Sequence, residues 1–218
     1  MYAVFIITVF LLSIVAFIAL PIMAMMYYIN SKQHHYFALL AQQFSLQKSK
    51  PPKGWRMGVR DWPITKGHYQ GHSIAVYASK TTTTTKANHT SFAHPLTTIS
   101  IKANHKAFDT FKLCASKNYR RNKKMVDLID ASEFSQYFNS LIQPQDAELL
   151  QQYFSPSIQT VLIEHLKRYK KENCTIILTE KGDWECALFF ELTNPKRYEA
   201  VLSMLNILFT LNNSPKLI

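Results

Sequence analysis

The sequence predicts an α+β fold: an N-terminal transmembrane helix, then one domain with an antiparallel β meander, helices, and a C-terminal hairpin and helix. Two observations predict it. No charged residue occurs before Lys32. The rest of the 218-residue chain mixes alternating segments with segments of helical period, which are typical of half-buried strands and amphipathic helices. We expect an anchor at residues 1–31, a juxtamembrane helix and linker at residues 32–53, and a cytosolic domain at residues 54–218.

Residues 2–28 form the apolar run that predicts the transmembrane helix. About 20 apolar residues span the ~30 Å hydrocarbon core as a helix, and this run is longer. Inside lipid, a single segment satisfies its own backbone hydrogen bonds only as a helix. Pro21 predicts a kink or the last turns of the segment. Tyr27 and Tyr28 stand where aromatic rings prefer the headgroup level.

The flanks of the run distinguish an anchor from a cleaved signal peptide. A signal peptide has a basic n-region, an apolar core of about 7–15 residues and a small-residue cleavage site. Here no basic side chain precedes the run, and bulky Met25 and Met26 lie near its end, so the sequence favours a retained anchor. Because positive flanks stay in the cytoplasm, we expect an inner-membrane protein with its N-terminus outside and its domain cytoplasmic. The cations between the run and the first acid are Lys32, Lys48, Lys50, Lys53, Arg56 and Arg60.

The composition limits the partners and the chemistry. A net charge of +11 and an isoelectric point of about 9.5 favour acidic partner surfaces, such as lipid headgroups beside the anchor or nucleic acid. Three cysteines without a CxxC pair indicate a reducing compartment rather than a disulfide framework. Five glycines leave no material for a Gly-rich phosphate loop. We expect the lipid bilayer and a protein at the membrane as partners, and no cofactor.

The first half of the domain is predicted to be rich in strands. Residues 36–44 place apolar side chains at helical spacing, in a helix that is either continuous with the membrane helix or separated from it by a short break. Residues 64–77 predict a hairpin that turns at Gln70-Gly71. The Thr-rich segment 80–94 either extends the second strand and turns through Asn88 or forms a loop. The two further strands of the expected four-strand meander are residues 96–103 and 108–116.

The second half predicts helices around one hairpin. A helix that starts near Asp130 places four apolar side chains on one face, and Asp146 and Ser155-Pro156 begin two more helices. Asn194-Pro195 begins a last helix with a core-like sequence. The hairpin has its strands at residues 175–180 and 185–192. The face near Asp130 comprises Phe134, Tyr137, Phe138 and Leu141, and the buried stripe of the helix at residues 156–169 comprises Ile158, Val161, Leu162 and Leu166.

A basic segment between the two halves is the candidate binding site. A solvated loop accounts for such a charge run, and contact with an anionic surface is the functional alternative. Tyr119 stands alone among the cations, whereas base stacking uses several aromatic rings, so we expect no nucleic-acid partner. The candidate residues are Lys112, Lys117, Arg120, Arg121, Lys123 and Lys124.

No catalytic constellation is recognised, so the sequence predicts a protein that is not an enzyme. His68 and His72 have the H-x3-H spacing of helical zinc sites, but Gly67 and Gly71 favour a turn and no carboxylate is near, so exposed hairpin histidines are the simpler interpretation. A metal-dependent hydrolase is a distant third hypothesis. The cysteines alternate with apolar strand residues, which is typical of buried structural thiols. No GxSxG motif is present.

The run Gly67-x-Tyr69-x-Gly71-x-x-Ile74-x-Val76 resembles the G-x-Y-x-G-x-x-V-x-V hairpin of certain uncharacterised bacterial membrane-anchored proteins. The later order of helices, hairpin and helix is similar to theirs as far as about Leu211. The resemblance implies a tethered α+β domain and lends no catalytic residue. We therefore expect a single-pass membrane protein whose domain is a non-catalytic interaction or scaffold module. The alternative is a tethered binder of an anionic ligand, whether lipid headgroup, nucleotide or nucleic acid, through the basic segment.

Overall fold

The computed structural model of the chain describes residues 2–49, 62–84, 91–102, 111–115, 134, 137–141, 154–169, 174–179 and 183–213. The fold is α+β, as predicted, with a long N-terminal helix before a sheet packed with helices. The helices are α1 (Tyr2–Gln43), α2 (Pro156–Arg168) and α3 (Pro195–Asn212). The strands are β1 (Gln47–Ser49), β2 (Ile64–Tyr69), β3 (His72–Thr84), β4 (Ser91–Lys102), β5 (Phe111–Cys114), β6 (Asn139–Leu141), β7 (Cys174–Leu178) and β8 (Asp183–Leu188).

The described strands form one antiparallel sheet in the order β1-β2-β3-β4-β8-β7-β5-β6. Strands β2, β3 and β4 follow one another as the predicted meander does, but β5 is not its fourth member. The hairpin of β7 and β8 lies between β4 and β5. In this hairpin, Trp184 is opposite Ile101 of β4 and Cys186 is opposite Ile99. Alternation along one strand indicates which face is buried but not which strand is its neighbour.

The hairpin of β2 and β3 turns at Gln70-Gly71, as predicted. Both residues have positive φ, 51° and 80°, which is the geometry of the two-residue turns that match strand twist. The Thr-rich segment extends the second strand: β3 reaches Thr84, which pairs with Ser91 at the start of β4. Asn88, the predicted turn residue, lies outside the described residues.

Helix α1 joins the apolar run to the domain without a break. Its 42 residues are about 63 Å long at 1.5 Å per residue, and Pro21 lies inside it. The apolar part is long enough and apolar enough to cross a membrane, and its side chains are exposed. Further along, Phe37 and Leu40 are buried in the core, and β1 follows directly. The predicted ends of the anchor at residue 31 and of the linker at residue 53 stay predictions. Helix α1 continues unbroken through residue 31.

The core lies between one face of the sheet and the helices. Ile74, Val76, Ile99, Ile101 and Trp184 are buried on this inner face. Helix α3 covers β4 and β8, while the end of α1 covers β1 and β2. The predicted last helix is confirmed as a core helix: Asn194 caps it by accepting a hydrogen bond from the backbone N–H of Arg197 at 2.9 Å, and half of its 18 side chains are buried.

Two predicted helical faces differ from the structure. Leu141 belongs to β6, opposite Lys112, rather than to the helix that includes Phe134 and Tyr137. In α2, Val161 is 47% exposed, whereas Ile163 and His165 are buried. The buried face of α2 is therefore rotated relative to the predicted one, because α3 packs beside α2 and covers the side that bears His165. The predicted helix after Asp146 lies outside the described residues, apart from Phe154 at its end.

Candidate functional site

Of the six candidate cations of the basic segment, only Lys112 lies among the described residues. Lys112 lies in β5, half-buried, between Ile177 of β7 and Leu141 of β6. The other five candidates, Lys117, Arg120, Arg121, Lys123 and Lys124, lie outside the described residues. Anionic-surface binding by this segment therefore stays a prediction.

His68 and His72 lie on opposite faces of the sheet. His68 pairs with Ser73 on the outer face and is exposed, but His72 points into the core and is buried, which corrects the expectation that both are exposed. The spacing that would place both on one face of a helix separates them on a hairpin. Within the described part of the chain, no three His, Cys, Asp or Glu side chains are grouped as metal ligands would be.

Hydrogen bonds of His72 join the hairpin turn to the end of α3. Its Nδ1 lies 2.8 Å from Asn212 Nδ2, and its Nε2 lies 3.0 Å from Asn213 Oδ1. An amide nitrogen can only donate, so Nδ1 accepts from Asn212 and Nε2 donates to the Asn213 amide oxygen. Phe209 packs beside the ring at 5.9 Å. The contacts assign His72 a structural role.

Replacing His72 with alanine is expected to lower the free energy of unfolding by about 1–3 kcal/mol, because it leaves the buried Asn212 amide without this partner. Thermal and denaturant unfolding of the full chain in detergent, followed by circular dichroism, measures the change. The matched control is His68→Ala, which removes an exposed imidazole from the same hairpin and should change the free energy by less than about 0.5 kcal/mol. Equal effects of the two substitutions would contradict the structural role of His72.

The three cysteines are buried and free, as predicted. Burial raises the pKa of Cys186 well above its ordinary value, and the adjacent Cys174 thiol adds to this effect. Burial also raises the pKa of Cys114, despite hydrogen bonding to Thr175 and the charge of Lys112. Thiols that stay protonated are poor nucleophiles, so these positions favour packing over thiol catalysis.

A Ser–His pair that sequence reasoning did not predict joins α2 and α3 beside a groove, and its serine lines that groove. His165 Nδ1 lies 2.9 Å from Ser203 Oγ. The groove has a volume of about 350 Å³ and is lined by Ser157, Ile158, Val161, Ser203, Asn206, Ile207 and Thr210. The available signal was the spacing of Ile158, Leu162 and His165, which places the imidazole on the apolar stripe of α2.

The chemistry of this pair favours structure over catalysis. Burial lowers the pKa of His165 from 6.5 to about 4, so the imidazole is neutral at pH 7 and a weak base. In a Ser-His-Asp triad, Nε2 faces the serine and Nδ1 faces the carboxylate. Here Nδ1 faces Ser203, while Nε2 is buried without a hydrogen-bond partner among the described residues. The pair joins two helices.

The lowered pKa of His165 predicts a loss of stability in acid. Between pH 6.5 and about 4 the unfolded chain binds a proton at this imidazole and the folded chain does not, so the free energy of unfolding falls as the pH falls through this range. We expect a loss of about 2–3 kcal/mol from pH 7 to pH 4, at 1.36 kcal/mol for each unit of pKa difference. Comparing unfolding of the wild-type chain with His165→Gln isolates this residue. The variant should lack this part of the pH dependence, and identical pH profiles would refute the assignment.

The outer face of the sheet is polar and half-buried. Ser79 and Thr98 are joined by a hydrogen bond of 3.3 Å. Burial raises the pKa of Tyr77, and the charge of Glu185 adds to the rise, while a hydrogen bond with Thr98 opposes it. A shallow depression of about 370 Å³ lies further along, lined by Ser73, Ala75, Ser100, Lys102 and Asp183. Among the described residues, the depression offers hydroxyl groups and two opposite charges but no grouping typical of catalysis.

Helices α1 and α3 run in the same direction, which defines the two ends of the domain. Tyr36 contacts Tyr198 near the start of α3, with the ring centroids 5.7 Å apart. Toward the other end, Tyr69 joins Phe44 at 4.9 Å and Phe209 at 5.6 Å. The start of α3 therefore lies at the end of the domain that is nearer to the apolar part of α1. We call this the anchor-side end.

The sheet and α2 contribute further segments to the anchor-side end. Thr97 Oγ1 donates to the Phe190 carbonyl at 2.9 Å, which places the end of β8 beside the start of α3. Arg168, the last residue of α2, pairs with Glu199 of α3 at 3.3 Å. Beyond Thr97, β3 and β4 pair with each other through six further positions, ending at Thr84 and Ser91. This two-stranded ribbon is about 20 Å long at 3.3 Å per residue.

Polar side chains occupy the junction between the anchor and the core. Asn30 and Gln33 precede Phe37 on the face of α1 that packs against the domain. Gln33 is completely buried, and neither its amide oxygen nor its amide nitrogen has a hydrogen-bond partner among the described residues. The Asn30 amide oxygen is buried without a partner in the same sense. A purely structural helix stripe would carry apolar residues here.

Comparisons of the chain with protein-family models, with curated proteins and with solved structures give no match. The resemblance carried by Gly67, Tyr69, Gly71, Ile74 and Val76 therefore stays a prediction, and the function is argued from the geometry alone.

Proposed function

We propose that the chain is a single-pass membrane protein whose domain is a non-catalytic interaction or scaffold module held directly at the bilayer surface. The observation that supports it most is the continuity of α1. One helix carries exposed apolar side chains in its first part and core side chains at its end. A soluble protein rarely exposes such a surface, and a bilayer would cover it.

The same continuity argues against removal of the apolar run as a signal peptide. Cleavage requires a short segment with small residues after the apolar core. In this chain the corresponding residues are Tyr27, Tyr28 and Ile29, which continue the helix toward the buried Gln33. We propose that α1 is retained. The intact mass of the protein extracted from washed native membranes tests this: it should include residues 2–28, and a mass that begins beyond residue 28 would refute the anchor.

We further propose that the domain faces the cytoplasm, because Lys32 and the basic residues after it flank the domain side of the apolar run. A single exposed cysteine at Thr210, with the three native thiols buried, reports the side. In intact cells it should resist a membrane-impermeant maleimide and react after permeabilisation. Labelling before permeabilisation would place the domain on the opposite side.

The interaction role is supported by the chemistry of the described residues. The Ser–His pair is a buried neutral contact, and the thiols of Cys114 and Cys186 have raised pKa values, so these groups favour structure over reaction. Photo-crosslinkers at Val161 on α2 and at Ser100 on the outer face would test the module in native membranes. The proposal predicts a discrete crosslinked product at one of these surfaces. Absence of a discrete product at both would contradict it.

The alternative, a tethered binder of an anionic ligand through the segment from Lys112 to Lys124, has one observation in its favour. The N–H of Ala115, the last described residue of the segment, donates to the Cys174 carbonyl at 2.9 Å. Cys174 in turn pairs with Leu188, so the described part of the segment ends at the anchor-side end. Neutralising its cations and measuring flotation with anionic and neutral liposomes tests the alternative.

A further inference from the structure

Cations collect at the anchor-side end of the domain. Lys196 and Arg197 begin α3, Lys80 lies in the ribbon, and α2 ends in two basic residues. Phe189, between β8 and α3, is 44% exposed. Among the described residues, the carboxylates near this end are Glu199, which pairs with Arg168, and Glu191. The cations are Lys32, Lys80, Lys167, Arg168, Lys196 and Arg197.

The opposite end of the domain has a more balanced charge. Lys102 stands directly opposite Asp183 in the register of β4 and β8, and the turn there is held by the hydrogen bonds of His72 with Asn212 and Asn213. The excess of positive charge is therefore a property of the end beside the anchor rather than of the whole described surface.

The length of helix between the apolar run and this end is short. Lys32 is four residues after Tyr28, about 6 Å along the axis, and Tyr36 is another 6 Å further. The Lys32 ammonium lies 5.6 Å from the centre of the Tyr28 ring, a ring type that prefers the headgroup level. One polar layer of a bilayer is about 5–8 Å thick and charge interactions extend about 8 Å at physiological salt. The anchor-side end thus lies within reach of the headgroups.

We propose that the anchor-side end is a binding surface for anionic lipid headgroups, with Lys32, Lys80 and Lys196 as its exposed or half-exposed lysines and Phe189 as its apolar contact. The proposal rests on the membrane anchor proposed above. Contact with the same headgroup surface would also support the ribbon of β3 and β4, because an isolated two-stranded ribbon is only marginally stable in water.

Spin-labelled lipids test the proposal on the full chain reconstituted in liposomes. Electron paramagnetic resonance measures the fraction of motionally restricted lipid, and separate experiments with labelled phosphatidylglycerol and phosphatidylcholine give their relative association constants. We expect phosphatidylglycerol to associate at least fivefold more strongly. Each well-placed lysine contributes about fivefold. Replacing Lys80 and Lys196 with glutamine should therefore lower the preference at least fivefold, and high salt should lower it as well.

The matched control replaces Lys66 and Lys102 with glutamine, the same charge change on exposed strand residues away from the anchor-side end. It should retain the preference. Equal association of the two lipids with the wild-type chain, or an equal loss in both double variants, would overturn the lipid surface. Absence of motionally restricted lipid for either probe would instead refute the anchor, so the two failures are distinguishable. Circular dichroism shows whether each variant remains folded.

Discussion

Replacing Phe37 with alanine is expected to destabilise the domain by about 3–5 kcal/mol, although Phe37 lies on the same helix as the apolar run. Its side chain is almost completely buried among core residues, and removing a buried aromatic ring loses its transfer free energy and leaves a cavity. Denaturant unfolding of the full chain in detergent, followed by tryptophan fluorescence, measures the loss.

Phe17→Ala is the matched control, because it is the same substitution in the same helix. The Phe17 side chain is 82% exposed in the apolar part of α1, so its removal should change the free energy of domain unfolding by less than about 0.5 kcal/mol. If Phe37→Ala proves equally mild, the end of α1 is a spacer rather than a part of the core, and the rigid placement of the domain at the bilayer fails.

Replacing Trp184 with alanine is expected to cost a similar 3–5 kcal/mol. Trp184 is completely buried on β8, opposite Ile101 of β4 and Leu178 of β7, and Phe154 packs against its ring with the centroids 6.4 Å apart. The side chain thus connects the C-terminal hairpin to the β2–β4 meander. Equilibrium unfolding of the variant in detergent should show a lower midpoint, with near-ultraviolet dichroism reporting the lost packing.

The control for Trp184 is Phe189→Ala, which removes an exposed ring one residue beyond the same strand. It should leave the unfolding midpoint unchanged within about 0.5 kcal/mol. A Trp184 variant as stable as this control would mean that β8 is not the central strand between the meander and β7, and the strand order would need revision.

Sequence patterns predicted the structure correctly where a few consecutive residues decide it. Gln70-Gly71 supplies the positive φ values of a two-residue turn, and Asn194-Pro195 supplies both a cap and a fixed φ for the start of α3. The alternation of Cys174, Ile176 and Leu178 identified the buried face of β7 correctly. These features depend on a few consecutive residues.

Patterns that depend on partners distant in sequence were predicted less well. The position of β5 at the far side of the β7–β8 hairpin follows from long-range register, which alternation does not encode. Helical spacing predicts Val161 in the core, but its side chain is exposed because the exact rotation of α2 is set by its contact with α3. His72 was expected on the surface, since its partners Asn212 and Asn213 lie about 140 residues later.

The candidate site shows the same division. The basic segment was visible as a run of consecutive cations, but the charge at the anchor-side end is assembled from α1, β3, α2 and α3. Lys32, Lys80 and Lys196 are far apart in the sequence and come to one end because α1 and α3 run in the same direction. Sequence reasoning alone had no signal for that arrangement.

A spin-label scan of α1 in the reconstituted full chain tests the central claim, that one unbroken helix belongs to both the bilayer and the core. Single labels at successive positions from residue 20 to residue 43 report accessibility to oxygen and to a polar reagent. The account predicts oxygen accessibility as far as Tyr28, then continuous helical periodicity with both accessibilities lowest at Gln33, Phe37 and Leu40. Uniform access of the polar reagent to residues 29–36 would contradict it, because it would reveal a flexible linker between anchor and domain.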